Sequence, residues 1–207
     1  WYDHCNGSLA HLPAMQRLGG SETARTQTKV LIGPWNHGSR GQRQLGEVDF
    51  GPNAAVDLVD LRIRWFDHWL KGAANGVEEW PAVQYFEMGT KQWRSAATWP
   101  PPSTPQCWHA GGKGRDDGAG PADGTLTLQP DGDVHADHYA YNPHDPLPTL
   151  WTEALYTLVA DRRRLAHRTD VLRYRSASLS EPLTIAGDPE VTLYAASSAP
   201  DTDFFVW

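Results

Sequence analysis

The chain has 207 residues, of which 40% are hydrophobic, and its formal net charge is −7 at pH 7. This length accommodates one large domain or two small ones with a packed core. The negative charge argues against a nucleic-acid or anionic-membrane partner, and no stretch approaches the ~20 apolar residues of a membrane-spanning helix.

The chain opens on Trp1-Tyr2-Asp3, where we expect Asp3 to end a strand of which only two residues are present. The sequence is therefore expected to begin within a fold. From Gly7 to Leu18 the pattern predicts a short helix interrupted at Pro13, because proline removes a helical hydrogen bond.

An apolar run, Val30-Leu31-Ile32, is followed by Gly33-Pro34 and then by His37. Consecutive apolar residues are typical of a strand buried on both faces of a parallel sheet. Proline cannot donate to the ladder, so the strand should end at Gly33. A histidine just beyond the carboxyl end of such a strand lies where open α/β sheets bind ligands, which makes His37 a candidate functional residue.

After a loop without clear period, Gly38–Pro52, the clearest helix is predicted from Ala54 to Leu70. Asn53 is its predicted N-cap and Gly72 its predicted stop. Its apolar stripe predicts packing on a sheet and contains Leu58, Leu61, Trp65 and Trp69. His68 falls beside the polar face, so we interpret it as a surface or packing histidine.

The strand Val83–Met88 is predicted to be the last of an α/β sheet, and the proline-rich stretch Pro100–Pro105 to be a linker. Beyond it, short alternating segments predict an all-β sandwich. These segments are Thr125–Leu128, Leu183–Ile185 and Val191–Tyr194, with a Gly- and Asp-rich loop predicted at Gly111–Gly124.

Several motifs in this order resemble the cocaine esterase and X-Pro dipeptidyl-peptidase family of serine hydrolases. They are Trp1-Tyr2-Asp3, Gly33-Pro34-Trp35-Asn36-His37, Arg64 to Gly72, Phe86-Glu87-Met88-Gly89, Trp93-Arg94, Trp99-Pro100, Tyr141 to Thr149 and Ala199 to Phe204. The resemblance implies an α/β hydrolase domain, of which residues 1–102 are the C-terminal part. Residues 103–207 would then begin an all-β jelly-roll sandwich, so that both domains are truncated.

The resemblance also implies a catalytic pair. In α/β hydrolases the catalytic groups follow the chain order nucleophile, acid, histidine, so His37 would be the general base and Asp3 the acid that orients it. On spacing alone, a turn aspartate and a loop histidine that caps local backbone remain the alternative. No Gly-x-Ser-x-Gly occurs in the sequence, so the serine is expected upstream and this polypeptide alone is expected to be inactive.

A second group of candidates follows the proline-rich turn at Pro148. Trp151, Leu155 and Tyr156 are apolar or aromatic and need a surface to bury against. Because the family's jelly-roll contributes to the active-site wall, these residues are predicted to line the acyl pocket. Packing in the jelly-roll core or the interdomain seam is the equal alternative. The substrate is left open among acyl esters, amino-acid esters and peptides with proline second.

No cofactor or metal is predicted. His135 and His138, with Asp133 and Asp137, lack a third convergent ligand, and Cys5 and Cys107 have neither metal-ligand spacing nor a disulfide pattern. The expected partners are a small ester, amide or peptide substrate and the remainder of the hydrolase polypeptide, while a homo-oligomer is left open. The rival hypothesis is a non-catalytic β-sandwich module that binds carbohydrate or peptide.

Overall fold

A computed structural model describes residues 3–112, 122–130, 132, 136–148, 150 and 161–206. The α-helices are α1 (Asp3–Leu18), α2 (Glu22–Gln27) and α3 (Leu58–Lys71). The strands are β1 (Val30–Ile32), β2 (Gln44–Leu45), β3 (Val48–Asp49), β4 (Val83–Glu87), β5 (Gln92–Ala96), β6 (His109–Gly111), β7 (Ala122–Thr127) and β8 (Leu172–Arg175). Short 3₁₀ helices span Pro52–Ala54, Val77–Glu79 and Arg162–Leu165.

The first sheet has the order β1-β4-β5 and begins with a parallel pair. Val30 of β1 is in register with Val83 of β4, and α3 lies between the two strands in sequence. Parallel strands require such a crossover, so this part of the chain is a βαβ unit. The predicted strands at Val30–Ile32 and Val83–Met88 are confirmed, although Val30–Ile32 is half-buried rather than fully covered. The sheet does not end at β4, because β5 pairs antiparallel with it.

The main hydrophobic cluster lies where the β2-β3 hairpin meets this sheet. Leu45, Phe50, Ala54 and Phe86 are buried together, and Trp93 packs against them. The Phe86 ring meets Phe50 edge to face with centroids 6.3 Å apart, and Trp93 at 5.3 Å. The sequence predicted only a loop here, because strands of two residues are too short to show a period.

Helix α3 begins four residues later than predicted. Asp57, rather than Asn53, is the N-cap, since its carboxylate accepts hydrogen bonds from the amides of Val59 and Asp60. Asn53 instead lies within a 3₁₀ helix. The predicted stop is confirmed, because Gly72 has φ 73°, a left-handed conformation that glycine adopts without strain.

Helix α1 runs unbroken through Pro13, contrary to the predicted interruption. Tertiary contacts hold the helix on both sides of the proline. Leu12 is buried, and the Gln16 side chain donates to the carbonyl of Ala97 at 2.7 Å and accepts from Thr98 at 2.9 Å. These contacts compensate for the hydrogen bond that Pro13 cannot make.

The second sheet has the order β6-β7-β8, with β6 antiparallel and β8 parallel to β7. Most of the strand predicted at Thr125–Leu128 is confirmed. The loop predicted at Gly111–Gly124 is wrong at its two ends, where Gly111 closes β6 and Gly124 belongs to β7. At Gly124 a Cβ would lie 2.3 Å from the Tyr174 ring of β8, so only glycine leaves room for that ring.

The strands predicted at Leu183–Ile185 and Val191–Tyr194 do not form, and the apolar side chains of these two segments are exposed. Alternation alone makes no strand, because a ladder needs a neighbouring strand that supplies hydrogen bonds. The described elements are mostly strands with few helices, an architecture compatible with a β-sandwich C-terminal domain. Within these same ranges no helix combines the length and apolarity needed to cross a bilayer.

Candidate functional site

The loop that follows β1 presents His37 to solvent. Strand β1 ends at Ile32, and the five residues after it lead to the exposed imidazole of His37. The location agrees with the sequence-based expectation for a residue beyond the carboxyl end of a parallel strand. An exposed imidazole can be reached by a nucleophile or by water and is therefore suited to general-base chemistry.

Trp35 anchors the loop on its N-terminal side. Its indole Nε1 donates to the carbonyl of Ala54 at 2.9 Å, and its ring lies 5.9 Å from the ring of Trp93. The same ring lies so close to Gly33 that a Cβ there would be 2.3 Å from an indole carbon. Gly33 is thus needed both to end β1 and to let the Trp35 ring fold back over the backbone.

Asn36 and Ser39 hold the C-terminal side of the loop. The Asn36 side-chain oxygen accepts hydrogen bonds from the amides of Gly38 at 3.0 Å and Ser39 at 2.9 Å, and from the Ser39 hydroxyl at 2.9 Å. The Ser39 hydroxyl oxygen accepts in turn from the backbone N–H of Asn36 at 3.3 Å. The exposed residues His37 and Gly38 therefore lie between two residues, Asn36 and Ser39, that are hydrogen-bonded to each other.

Asp3, the predicted acid, is the first residue of α1, and its side chain lies outside the described part of the structure. The distance between its carboxylate and the His37 ring stays a prediction. Helix α1 contacts β1, the strand that carries the His37 loop.

A cavity of about 340 Å³ lies between α1 and the start of β1, lined by Gly7, Ser8, His11, Leu12, Thr28, Lys29 and Val30. Partial burial lowers the pKa of Lys29, whose Nζ donates to the carbonyl of Trp80 at 2.7 Å. A second cavity, of about 350 Å³, is lined by Arg40, Val56, Asp57, Leu58, Val59 and Arg62. Arg40 follows His37 by three residues in the sequence, whereas His37 does not line this cavity.

His68 has a packing role, one of the two roles predicted for it. Its Nδ1 lies 2.9 Å from the carbonyl oxygen of Ala73 and 3.4 Å from a carboxylate oxygen of Glu78. Its ring also meets the Trp69 ring edge on, at 4.6 Å. These contacts hold the imidazole against the C-terminal end of α3.

Most of the remaining candidate residues lie outside the part of the chain that the structure describes. Trp151, Leu155 and Tyr156 lie outside the described residues, as do His135 and Asp133. Where the chain is described, no three His, Cys, Asp or Glu side chains are grouped so as to hold a metal ion.

Sequence reasoning missed the pair Asn36 and Ser39. An asparagine two residues before a glycine is a recognised turn signal, because its side chain can bond the backbone two residues on. That signal would have found Asn36. The burial of Ser39, which is 6% exposed, depends on distant packing and has no local signature.

Comparisons with known proteins support a hydrolase relationship. Residues 75–207 match the family model described as the X-Pro dipeptidyl-peptidase C-terminal non-catalytic domain. Over 99% of its length the chain is 32% identical to cocaine esterase from Rhodococcus sp. (strain MB1 Bresler), of which it covers 36%. Over its whole length it is 31% identical to a Mycobacterium bovis protein whose name assigns it as a serine esterase, of which it covers 31%.

A solved structure is also similar. It is a crystal structure of an aminopeptidase from a marine sediment Thaumarchaeota archaeon, with a TM-score of 0.50 and 27% identity over 70% of this chain and 24% of that one. The chain spans about a third of the length of the curated relatives it matches.

Proposed function

This chain belongs to the X-Pro dipeptidyl-peptidase C-terminal domain family, and we propose on that premise that it is part of a serine hydrolase acting on ester or amide bonds. Relatives named as esterases align with nearly the whole chain. The family model labelled non-catalytic begins at residue 75, so it leaves out Asp3 and His37. The label therefore does not argue against a catalytic role for these two residues.

The observation that carries the proposal is the presentation of His37. Its imidazole is exposed at the end of a strand in a parallel pair, on a loop held by Trp35 and Asn36. A serine hydrolase needs a base that is reachable by its nucleophile and fixed in orientation. The exposure of His37 and the hydrogen bonds that hold its loop support this assignment.

In the proposed reaction His37 accepts the proton of a serine hydroxyl as that oxygen attacks the substrate carbonyl. The protonated ring then donates the proton to the leaving group, and the resulting acyl-enzyme is hydrolysed by water in the reverse sense. Asp3 would hold the imidazole in the productive tautomer. The serine and the oxyanion hole would come from a preceding part of a longer polypeptide, so the 207-residue chain alone should be inactive.

We further propose the finer domain assignment. Residues 1–102 would complete an α/β-hydrolase domain, consistent with the βαβ unit formed by β1, α3 and β4. Residues 103–207 would begin a jelly-roll, in which Trp151, Leu155 and Tyr156 line the acyl pocket. A small ester, amide or peptide would be the substrate.

The test uses the full-length enzyme with a p-nitrophenyl ester. His37→Ala should lower kcat by roughly 10⁴-fold or more, and Asp3→Asn by roughly 10³- to 10⁴-fold with the fold retained, because the wrong tautomer is favoured. His167→Ala, which removes another exposed histidine, is the matched control and should leave kcat unchanged.

Near-normal turnover in a purified, folded His37→Ala enzyme would contradict the proposal. If the full-length protein hydrolysed neither esters nor X-Pro peptides and calorimetry showed carbohydrate or peptide binding, the rival binding-module hypothesis would be favoured instead.

A further inference from the structure

We propose that Asn36 is a positioning residue that fixes the imidazole of His37 by clamping the backbone on both sides of it. This inference rests on the proposed function, because it assigns a second residue to the same site. Asn36 immediately precedes His37, and its side-chain oxygen accepts hydrogen bonds from the two residues that follow the histidine.

The first support is the number of hydrogen bonds on a single oxygen. The Asn36 Oδ1 accepts from two backbone amides and one hydroxyl, at distances of 2.9 to 3.0 Å. Three donors on one acceptor hold the Asn36 side chain in one rotamer and the amides of Gly38 and Ser39 in one orientation. The peptide units before and after His37 are thereby tied to each other.

The second support is that this clamp is seated in the protein rather than free in solvent. Ser39 is 6% exposed, and its carbonyl accepts from the Gln42 amide at 3.0 Å. Breaking the clamp would leave the buried Ser39 hydroxyl without one of its partners, which is costly away from water. On the other side, the Trp35 indole is bonded to Ala54 in the hydrophobic cluster.

The chemistry explains why an amide is suited to this position. Catalytic groups must be held to within about 0.5 Å of the productive geometry, so a base on a loop needs a support of this kind. An aspartate could accept the same three hydrogen bonds, but its negative charge beside His37 would stabilise the imidazolium and raise the pKa of the ring. Asparagine supplies the hydrogen bonds without that charge.

The experiment compares three variants of the full-length enzyme by kcat, KM, pH profile and melting temperature. Asn36→Ala removes the acceptor and should lower kcat by on the order of 10- to 100-fold while KM changes less than about twofold, since only the base is misplaced. Asn36→Asp keeps the acceptor and should restore kcat at alkaline pH, with the acidic limb of kcat/KM moved to higher pH.

Asn53→Ala is the matched control. It removes an asparagine side chain that donates to the Lys91 carbonyl at 3.1 Å, outside the His37 loop. It should leave kcat and the pH profile unchanged whatever its effect on the melting temperature.

The outcomes separate the inference from its premise. If His37→Ala abolishes turnover while Asn36→Ala retains full kcat, the positioning role is overturned and the proposed function stands. If His37→Ala remains active, both are overturned. An Asn36→Asp enzyme with low kcat at every pH, like Asn36→Ala, would also overturn the role, because the hydrogen-bond acceptor would not be what matters.

Discussion

Two regions of the molecule carry similar apolar patterns and reach opposite outcomes. In the first, around β4, Ala54 and Val83 are completely buried and Phe86 is 7% exposed. In the second, residues 176–206, Tyr194 is 95% and Phe205 is 80% exposed, and no strand forms. The difference lies in the neighbours, because β4 has a strand on each side whereas the described residues offer none to the second region. An alternating apolar pattern favours a strand, but the strand forms only where a neighbouring strand supplies the backbone hydrogen bonds.

The largest expected effect compares two phenylalanines. Phe86→Ala should lower the free energy of unfolding by about 3–5 kcal/mol, because it opens a cavity beside Phe50 and Trp93. Phe205→Ala should change it by less than about 0.5 kcal/mol, since that ring is exposed. Urea unfolding monitored by circular dichroism measures both. An equal loss at the two positions would break the comparison and show that the Phe205 ring is covered in the protein.

A smaller effect tests how closely the first region is packed. Gly33→Ala should destabilise the protein by about 1–3 kcal/mol, because the new methyl group would lie 2.3 Å from the Trp35 ring. Gly20→Ala is the control, since a Cβ there would meet no atom within 4 Å. Urea midpoints of the two variants give the difference. A neutral Gly33→Ala would mean that the indole can move aside at no cost.

The smallest effect concerns a side-chain hydrogen bond between the two regions. The carboxylate of Glu87 in β4 accepts a hydrogen bond from the Thr184 hydroxyl at 2.6 Å. Hydrogen bonds from Thr184, Thr90 and Arg94, of which the first has the largest effect, lower the pKa of Glu87 from 4.5 to about 2. Because the folded-state pKa lies below the unfolded one, the stabilisation by ionised Glu87 is present above pH 4.5 and is lost as the pH falls towards 2.

Thr184→Val should therefore raise the pKa of Glu87 towards 4.5, so that the acid-induced loss of stability is smaller and is complete at a higher pH. Carboxyl ¹³C NMR titration measures this pKa directly. Thr192→Val, at an exposed threonine of the same region, should leave it unchanged. If the Glu87 titration in Thr184→Val matched that of the parent protein, the two regions would not be linked through this bond.

Features that depend on near neighbours in sequence were predictable, and features that depend on distant contacts were not. The end of β1 at Gly33 and the end of α3 at Gly72 follow from the local chemistry of glycine and proline. The passage of α1 through Pro13 depends on contacts with Ala97 and Thr98, far along the chain. The strand predicted at Leu183–Ile185 failed for the same reason, because pairing is not encoded in the segment that pairs.

The candidate site divides in the same way. The place of His37 on a loop after a strand was predictable from the sequence, and Asn36 could have been found from the glycine that follows it two residues later. The support from Trp35 was not predictable, since its partners Ala54 and Trp93 are brought to it by the hydrophobic cluster. The sequence thus indicates a candidate residue more readily than the residues that hold its loop in place.

The register of the first sheet has a consequence for how the chain reaches its native state. Phe86 pairs with Trp93 across a short turn, whereas Val30 pairs with Val83 across about a quarter of the chain. Because the entropy lost on closing a loop grows with the logarithm of its length, joining β1 to β4 costs roughly 2 kcal/mol more than forming the β4-β5 hairpin. Forming the β4-β5 hairpin is therefore the more local event. Pairing β1, the strand before His37, with β4 costs more conformational entropy. The candidate base His37 thus follows the strand whose pairing costs the sheet more chain entropy.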